Sequence, residues 1–405
     1  MDRLPLELIE FIIDHLHDDN VALKACSLVS RTFLQPARAH LFENIELRFR
    51  HSVKDRNIDS MRTIISPDSR GLLSHTRKLS IPYQGLIPPF HLEEIFDHLT
   101  AFNNVRELKL DLDTFHFVNR DLMLASRYFL HFQPVLRSLH LTTPARNPKD
   151  LIVFIAFFPF LEEVSLSFCD LGPETALGSW GKELDPNLLT PLHGILRVPT
   201  IPLDSKFIVE LAKVRVLYHT LELSGHCLSP ETGTSELVGA CASTLRILRF
   251  SHHCGLLSFA VMVRKLNPKF TVAHYVGPDP WVTLSACTQL AEIQLPTFVE
   301  HIRGDIRLHA SLLSTISSPH FRKVELAFGP RPFTRHLAQL LSWGQWEILE
   351  DVLLELTRRS GNPLQLVVLF PGHITFPPRY NEFMPRFREV GEVRLEGSTS
   401  HDYLG

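Results

Sequence analysis

The stretch "LEEVSLSFCDL" (residues 161–171) decides the fold of this chain. Its apolar positions are Leu161, Val164, Leu166, Cys169 and Leu171, in the spacing apolar-x-x-apolar-x-apolar-x-x-apolar-x-apolar. The apolar–polar–apolar alternation within this spacing is typical of a strand with one buried face. At Cys169 the pattern favours a buried side chain over a reactive thiol, because buried free cysteine behaves as a small hydrophobe.

The first six residues of this stretch form a phrase that recurs along the chain. Six further copies are clear: "VRELKL" (105–110), "LRSLHL" (136–141), "LRILRF" (245–250), "LAEIQL" (290–295), "FRKVEL" (321–326) and "VGEVRL" (390–395). Four are weaker: "TRKLSI" (76–81), "HGILRV" (193–198), "YHTLEL" (218–223) and "LQLVVL" (364–369). Successive copies start 25 to 32 residues apart, except for two intervals of 45 and 43 residues. This period resembles that of leucine-rich repeats, which is 20–29 residues.

Helical patterns lie between the phrases and complete the repeat. "HLEEIFDHLTAF" (91–102) and "QWEILEDVLLEL" (345–356) have apolar residues at helical spacing. Alternating strands and helices predict parallel strands joined by right-handed crossovers, and stacked units of this kind predict a curved solenoid. We therefore expect an α/β fold, in which a short three-helix module precedes a leucine-rich-repeat-like β/α solenoid. The predicted ranges are 1–47 for the helical module, 48–70 for a junction, 71–396 for the solenoid and 397–405 for a polar tail.

One position of the phrase predicts a binding surface. The residue between the last two apolar positions is polar in all copies but one, and we call this set the ladder: Ser80, Lys109, His140, Ser165, Arg197, Glu222, Arg249, Gln294, Glu325, Val368 and Arg394. On a solenoid these side chains would line the concave sheet, the usual binding surface of such arrays. The candidate target-binding residues are Lys109, His140, Arg197, Glu222, Arg249, Gln294 and Glu325. A sheet face that is merely solvated would need the same polarity, so that alternative remains.

Composition excludes several classes of partner and chemistry. The net charge is −3, from 41 basic and 44 acidic residues, so no field favours nucleic acid or an anionic membrane. No apolar run reaches the roughly 18 residues of a membrane span, and no apolar leader precedes the first helix. Six scattered cysteines indicate a reducing compartment, so we expect a cytoplasmic or nuclear protein.

Two groups of residues resemble known sites but lack the spacing that those sites require. The histidines and cysteines of "GHC" (225–227) and "HHC" (252–254), with Cys241, lack the spacing of zinc ligands. "GSWGK" (178–182) lacks the glycine spacing and the Ser or Thr of a phosphate loop. We therefore predict no metal, no cofactor and no catalytic residues, although an enzyme assembled from scattered residues stays an alternative.

The first helix has more apolar surface than one contact requires. In "LPLELIEFIIDHL" (4–16), the residues Leu8, Ile9, Ile12, Ile13 and Leu16 fall within an arc of about 140° and are predicted to face inward. Leu4 and Phe11 lie off that arc.

Two further short helices are predicted after the first. Asp19 or Asn20 can cap the second helix, which has an apolar face of Ala22, Cys26 and Val29. A third follows through Phe33, Leu34, Ala37 and Leu41. Three helices in about 40 residues bury little surface alone, so we expect a partner to cover the extra apolar strip. The alternative is a helical cap at the end of a repeat array.

The quoted helix, followed by "ACSLVSRTF" (25–33), resembles an F-box. The matching residues are Leu4-Pro5, Glu7-Leu8-Ile9, Ile12-Ile13, Leu16, Leu28-Val29-Ser30-Arg31 and Phe33, where family members usually have tryptophan. The resemblance covers about 45 residues, and an F-box followed by degenerate leucine-rich repeats is a layout similar to that of the fungal F-box repertoires.

The resemblance implies a non-catalytic substrate receptor of a Skp–cullin–F-box type ubiquitin ligase. The F-box would bind a Skp-type adaptor, and through it a cullin, while the solenoid would bind an unknown target protein. The implied adaptor-binding residues are Leu4, Pro5, Glu7, Leu8, Phe11, Ile12, Leu28, Val29 and Phe33. The rival interpretation is a leucine-rich-repeat interaction scaffold without ligase association.

Overall fold

The structure is a computed structural model of the 405-residue chain and combines helices with parallel strands. It describes residues 5–47, 70–82, 99–111, 129–144, 148–169, 191–200, 207–224, 233–251, 282–297, 302–328, 346–371 and 383–398. The described helices are α1 (Leu6–Asp14), α2 (Asn20–Val29), α3 (Arg31–Leu41), α4 (Arg70–Leu73), α5 (Pro148–Ala156), α6 (Phe207–Ala212), α7 (Thr234–Ala240), α8 (Ile302–Ser314), α9 (Trp346–Ser360) and α10 (Pro385–Arg388), with a 3₁₀ turn at Leu130–Phe132.

The described strands follow the repeat phrase. They are β1 (Asn44–Glu46), β2 (Lys78–Ile81), β3 (Glu107–Asp111), β4 (Ser138–Pro144), β5 (Glu163–Cys169), β6 (Leu192–Thr200), β7 (Val216–Ser224), β8 (Ile247–Ser251), β9 (Glu292–Thr297), β10 (Lys323–Phe328), β11 (Gln365–Pro371) and β12 (Glu392–Ser398). Each of the eleven phrases contributes to one strand, from β2 to β12. The prediction of an α/β chain with parallel strands is confirmed.

The chain divides into two compact units, and the division falls within β5, after Ser165. In the first unit β1 to β4 pair in parallel in chain order. In the second unit β6 to β12 do the same. The strands alternate as predicted: in β3, for example, Leu108 and Leu110 are buried whereas Lys109 is exposed.

The core of the first unit contains a group of phenylalanines whose rings contact one another. Phe154 on α5 meets Phe129 edge to face at a centroid distance of 5.8 Å and Phe158 at 5.4 Å. Such pairs stabilise by about 0.5–1.5 kcal/mol beyond the area that they bury. These rings are buried, as are the inward leucines of β3 and β4.

In the second unit, α9 forms as its apolar spacing predicts. Trp346, Leu349, Leu353 and Leu356 are buried, and Val352 is half-buried. The other quoted helical stretch, 91–102, lies outside the described residues up to position 98, and its Leu99 is buried.

The ends of the predicted ranges differ from the element bounds in two places. β1 lies inside the predicted helical module and pairs with β2, with Asn44 opposite Lys78 and Glu46 opposite Ser80. β12 extends into the predicted polar tail, where Gly397 and Ser398 lie opposite Phe370 and Pro371. Most of the predicted junction (48–69) and the rest of the tail (399–405) lie outside the described residues.

Candidate functional site

The three N-terminal helices pack around a small apolar centre, called here the inner cluster. Its buried members are Ile9, Ile13, Leu23 and Ala37, and Leu16, Cys26, Phe33 and Leu41 pack against it while partly buried. α3 provides contacts to both α1 and α2. One narrow side of each helix is therefore enough to hold the three together.

The outer strip of α1 consists of Leu8, Phe11 and Ile12, which are 48%, 57% and 43% exposed. The prediction that Leu8 and Ile12 face inward is wrong. The reason is angular: the inward direction is set by Ile9, Ile13 and Leu16, and Leu8 and Ile12 project about 110° and 70° from it at 3.6 residues per turn. Phe11 projects away from the cluster, as predicted, and its ring meets that of His15 edge to face at 4.4 Å.

The outer strip of α2 consists of Val21, Leu28 and Val29, which are 79%, 86% and 71% exposed. The predicted inward direction of Val29 is wrong, because the helix contacts the cluster through Leu23, with Cys26 partly buried. Val21 was absent from the candidates. Its signal was the seven-residue spacing to Leu28, which puts both side chains on one stripe.

The other predicted adaptor-binding residues divide into exposed and packed ones. Pro5 and Glu7 are exposed, and the Pro5 carbonyl accepts hydrogen bonds from the amides of Leu8 and Ile9 at 3.1 and 3.2 Å. Phe33 packs instead against the inner cluster. Leu4 lies outside the described residues.

Polar contacts fix the ends of these helices. Asp19 caps α2 and accepts hydrogen bonds from the amides of Val21 and Ala22 at 3.0 and 2.9 Å. Of the two predicted caps, Asp19 and Asn20, the first is therefore the one observed. His40 on α3 places Nε2 2.7 Å from Asp14 Oδ1 at the end of α1. The outer strips are thus carried on helices whose orientation is set by contacts elsewhere.

The sheet register brings ladder residues together within each unit. In the first unit Ser80, Lys109 and His140 lie side by side on β2, β3 and β4. In the second unit the row on β6 to β10 is Arg197, Glu222, Arg249, Gln294 and Glu325.

Three ladder residues of the second unit bind one another rather than facing solvent freely. Glu222 accepts a hydrogen bond from Arg197 Nε at 2.7 Å and another from Arg249 Nη1 at 2.8 Å. All three side chains are partly buried. Opposite charges on adjacent strands meet because the strands are only about 4.8 Å apart. These three charges are therefore paired with one another on the ladder face.

The other ladder candidates differ in their surroundings. Lys109 is exposed and has no hydrogen-bond or ion-pair partner among the described residues. His140 Nε2 lies 3.1 Å from Ser138 Oγ and 3.7 Å from Glu107 Oε1. Glu325 forms an ion pair with Lys323, and Gln294 is half-buried.

The ladder position on β11 is Val367 and not Val368. Val367 lies opposite Glu325 and Val368 opposite Leu326, so the phrase was placed one residue too late. Both valines are buried. The run Leu366–Phe370 is apolar throughout, and without alternation its period cannot tell the two faces of a strand apart.

Groups able to carry chemistry are few in the described part of the chain. Cys26, Cys241 and Cys287 are free thiols there, and burial raises the pKa of Cys241 to about 12 and that of Cys287 to about 11. No three His, Cys, Asp or Glu side chains of the described residues converge as a metal site would require. The motifs at 178–182, 225–227 and 252–254 and the side chain of Cys169 lie outside the description.

None of the described helices has both the length and the apolar character that crossing a membrane requires. No family model matches this chain, and no curated protein matches it.

Proposed function

We propose that this chain is a non-catalytic substrate-recognition subunit of a Skp–cullin–F-box type ubiquitin ligase. In this proposal α1–α3 act as an F-box that docks on a Skp-type adaptor, and the strands and helices that follow form a leucine-rich-repeat-like solenoid that binds a target protein. The observation that carries the proposal is the pair of outer strips on α1 and α2.

The outer strips support docking because the packing of the three helices leaves much of their apolar surface uncovered. The inner cluster holds α1–α3 through other residues, while Leu28 and Val29 leave 86% and 71% of their surface uncovered. Complete burial of a Val, Leu, Ile or Phe side chain stabilises by about 1.5–3 kcal/mol. A partner that covered these side chains would gain that free energy, and the fully buried core of an interface is more apolar than the rest of a protein surface.

The F-box resemblance is what commits the outer strips to a Skp-type adaptor. Pro5, Glu7, Leu8, Phe11 and Ile12 of the quoted motif are all exposed on α1 or just before it. Phe33, the residue that departs from the usual tryptophan, packs against the inner cluster. Phenylalanine in place of tryptophan at this position therefore affects the packing of the three helices against one another more than it affects the outer strips.

Target binding is assigned to the ladder face of the sheet. In the first unit the candidates are Lys109 and His140, and in the second unit Gln294 and Glu325 together with the Arg197–Glu222–Arg249 group. Holding a target near the transferase raises its effective concentration, and this needs no catalytic group on the receptor. The cytoplasm or nucleus as the working compartment is part of the same proposal.

The test is direct binding of the purified full chain to a purified Skp-type adaptor, measured by calorimetry. Leu28→Ala/Val29→Ala removes most of the uncovered surface of the α2 strip. Because burying the two side chains on docking could contribute about 2–5 kcal/mol of transfer free energy, we expect adaptor affinity to fall by about 30-fold or more. Both residues are largely exposed in the free chain, so the free energy of unfolding should change by about 1 kcal/mol or less.

Leu130→Ala is the matched control. Leu130 is an exposed leucine of the 3₁₀ turn in the same unit, outside α1–α3. The Leu130→Ala substitution should leave adaptor affinity unchanged. Unchanged affinity in the folded double variant would show that the outer strip of α2 is not the docking surface. Absence of binding by the wild-type chain would leave the interaction scaffold as the better interpretation.

A further inference from the structure

A polar pocket of about 350 Å³ lies in the first unit, next to the end of α3. Its lining comes from four segments of the chain, and the polar side chains used below are His40, Glu43, His75, Arg77, Asn104 and Arg106. The proposed adaptor and target surfaces do not include these residues. The volume lies at the lower end of the range typical of small-molecule sites.

The backbone holds two arginines of this pocket side by side. Arg77 and Arg106 occupy the same position of successive phrases, one residue before β2 and β3. The amides of Arg106 and Glu107 donate to the Arg77 carbonyl at 2.7 and 2.9 Å, and the amides of Arg77 and Lys78 donate to the Glu43 carbonyl at 2.9 and 3.0 Å. The backbone positions that carry the two arginine side chains are therefore about 4.8 Å apart, the spacing of neighbouring strands.

The two arginines keep most of their donor capacity. Arg106 has no side-chain hydrogen bond or ion pair among the described residues. Arg77 has one long contact there, from Nη1 to Glu43 Oε1 at 3.9 Å. Arg137, the next arginine of the same row, differs: it donates to the Phe160 carbonyl at 3.3 Å and stacks over the Phe160 ring at 5.0 Å.

The acidic side chain of the lining is already engaged. Glu43 lies 3.7 Å from His40 Nδ1 as well as 3.9 Å from Arg77. The Glu43 carboxylate therefore lies beside two side chains of the pocket, and Arg106 has no acidic partner among the described residues. Asn104 is oriented by donating Nδ2 to the Ser74 carbonyl at 2.7 Å.

We propose that this pocket binds the phosphate group of a small polar molecule. Planar guanidinium groups donate in a fixed fork that matches phosphate oxygens, and two of them from adjacent strands can hold one tetrahedral anion. The imidazole of His75 adds ring nitrogens at the wall, whereas His40 Nε2 already contacts Asp14. The polar lining and the volume fit a phosphorylated polyol or sugar better than an apolar ligand.

Calorimetry of the full chain tests the proposal with three probes: inorganic phosphate, glycerol 1-phosphate and, as the uncharged comparison, glycerol. We expect saturable binding of both phosphates and none of glycerol. Arg106→Gln should weaken phosphate binding at least tenfold, since it removes charge-assisted hydrogen bonds. Arg246→Gln is the matched control, because Arg246 precedes β8 at the same position of its phrase and does not line the pocket.

Circular dichroism of each variant monitors folding. If Arg106→Gln is misfolded, Arg106→Lys replaces it, and the loss of the planar fork should still weaken binding several-fold. Equal phosphate affinity in wild type and the folded Arg106 variant would overturn the proposal, as would the absence of saturable binding to wild type. Binding of the peptide Gly-phosphoSer-Gly without binding of glycerol 1-phosphate would also overturn it, in favour of a phosphoprotein ligand.

Discussion

Ile12 and Ile13 are neighbours on α1 with opposite surroundings, and the same substitution should affect them differently. Ile13 is fully buried in the inner cluster, so Ile13→Ala removes buried carbons and leaves a cavity, at a cost of about 2–5 kcal/mol. Ile12 is 43% exposed. Ile12→Ala removes three carbons at about 0.8 kcal/mol each, and scaling by the covered fraction of the side chain gives a loss of stability of about 1–1.5 kcal/mol. No enclosed cavity adds to this loss.

Hydrogen exchange measured by mass spectrometry on peptides from α1–α3 separates these costs. A local measurement is needed because unfolding of a 405-residue chain with two units need not be two-state. Each 1.4 kcal/mol corresponds to about tenfold faster exchange, so we expect acceleration of about 30-fold or more for Ile13→Ala and about tenfold for Ile12→Ala. Peptides from α9 serve as the internal control and should be unaffected. Faster exchange in Ile12→Ala than in Ile13→Ala would refute the assignment of the two faces.

Two further predictions concern the second unit and the cysteines. Alkylation with iodoacetamide at pH 8 should modify Cys26 in the native chain but spare Cys241 and Cys287 until denaturant is added. Burial raises the pKa of Cys241 to about 12 and that of Cys287 to about 11, and this keeps both thiols protonated. Rapid labelling of either buried thiol in the native chain would contradict this prediction. Glu222→Gln should leave two partly buried arginines without their shared carboxylate and destabilise β6–β8 by about 1–3 kcal/mol. Hydrogen exchange should become faster in peptides from those strands but not in peptides from β11. Unchanged exchange in β6–β8 would mean that the ion pairs contribute little to stability.

The strands could be predicted because their signal is geometric. A strand with one buried face must alternate, and the phrase repeats that alternation at nearly constant intervals. The charge pairing at Glu222 was also within reach of the sequence. Consecutive ladder residues read Arg197, Glu222 and Arg249, and once strands pair in chain order these charges must lie on adjacent strands. Ladder positions taken one at a time do not show this pairing, whereas their order along the chain does.

Two features could not be read from the sequence, for different physical reasons. On β11 an unbroken apolar run has no period, so only pairing with its neighbours distinguishes Val367 from Val368. On α1 the apolar residues extend well beyond one contact, so composition alone cannot say which part of the arc meets α3. The inward direction is fixed by the small inner cluster, and Leu8 and Ile12 remain outside it.

The exposed residues of α1 and α2 differ in kind from other exposed apolar residues of the described chain. Isolated ones such as Leu130 are normal on protein surfaces and need no explanation. The outer strip of α1 has the spacing i, i+3, i+4, which makes a continuous face, and that face is additional to the one used for packing. Polar residues at Leu28 and Val29 would cost the free helices little, because so little of either side chain is covered. Folding of the isolated chain therefore does not account for these strips, whereas a partner that covers them does.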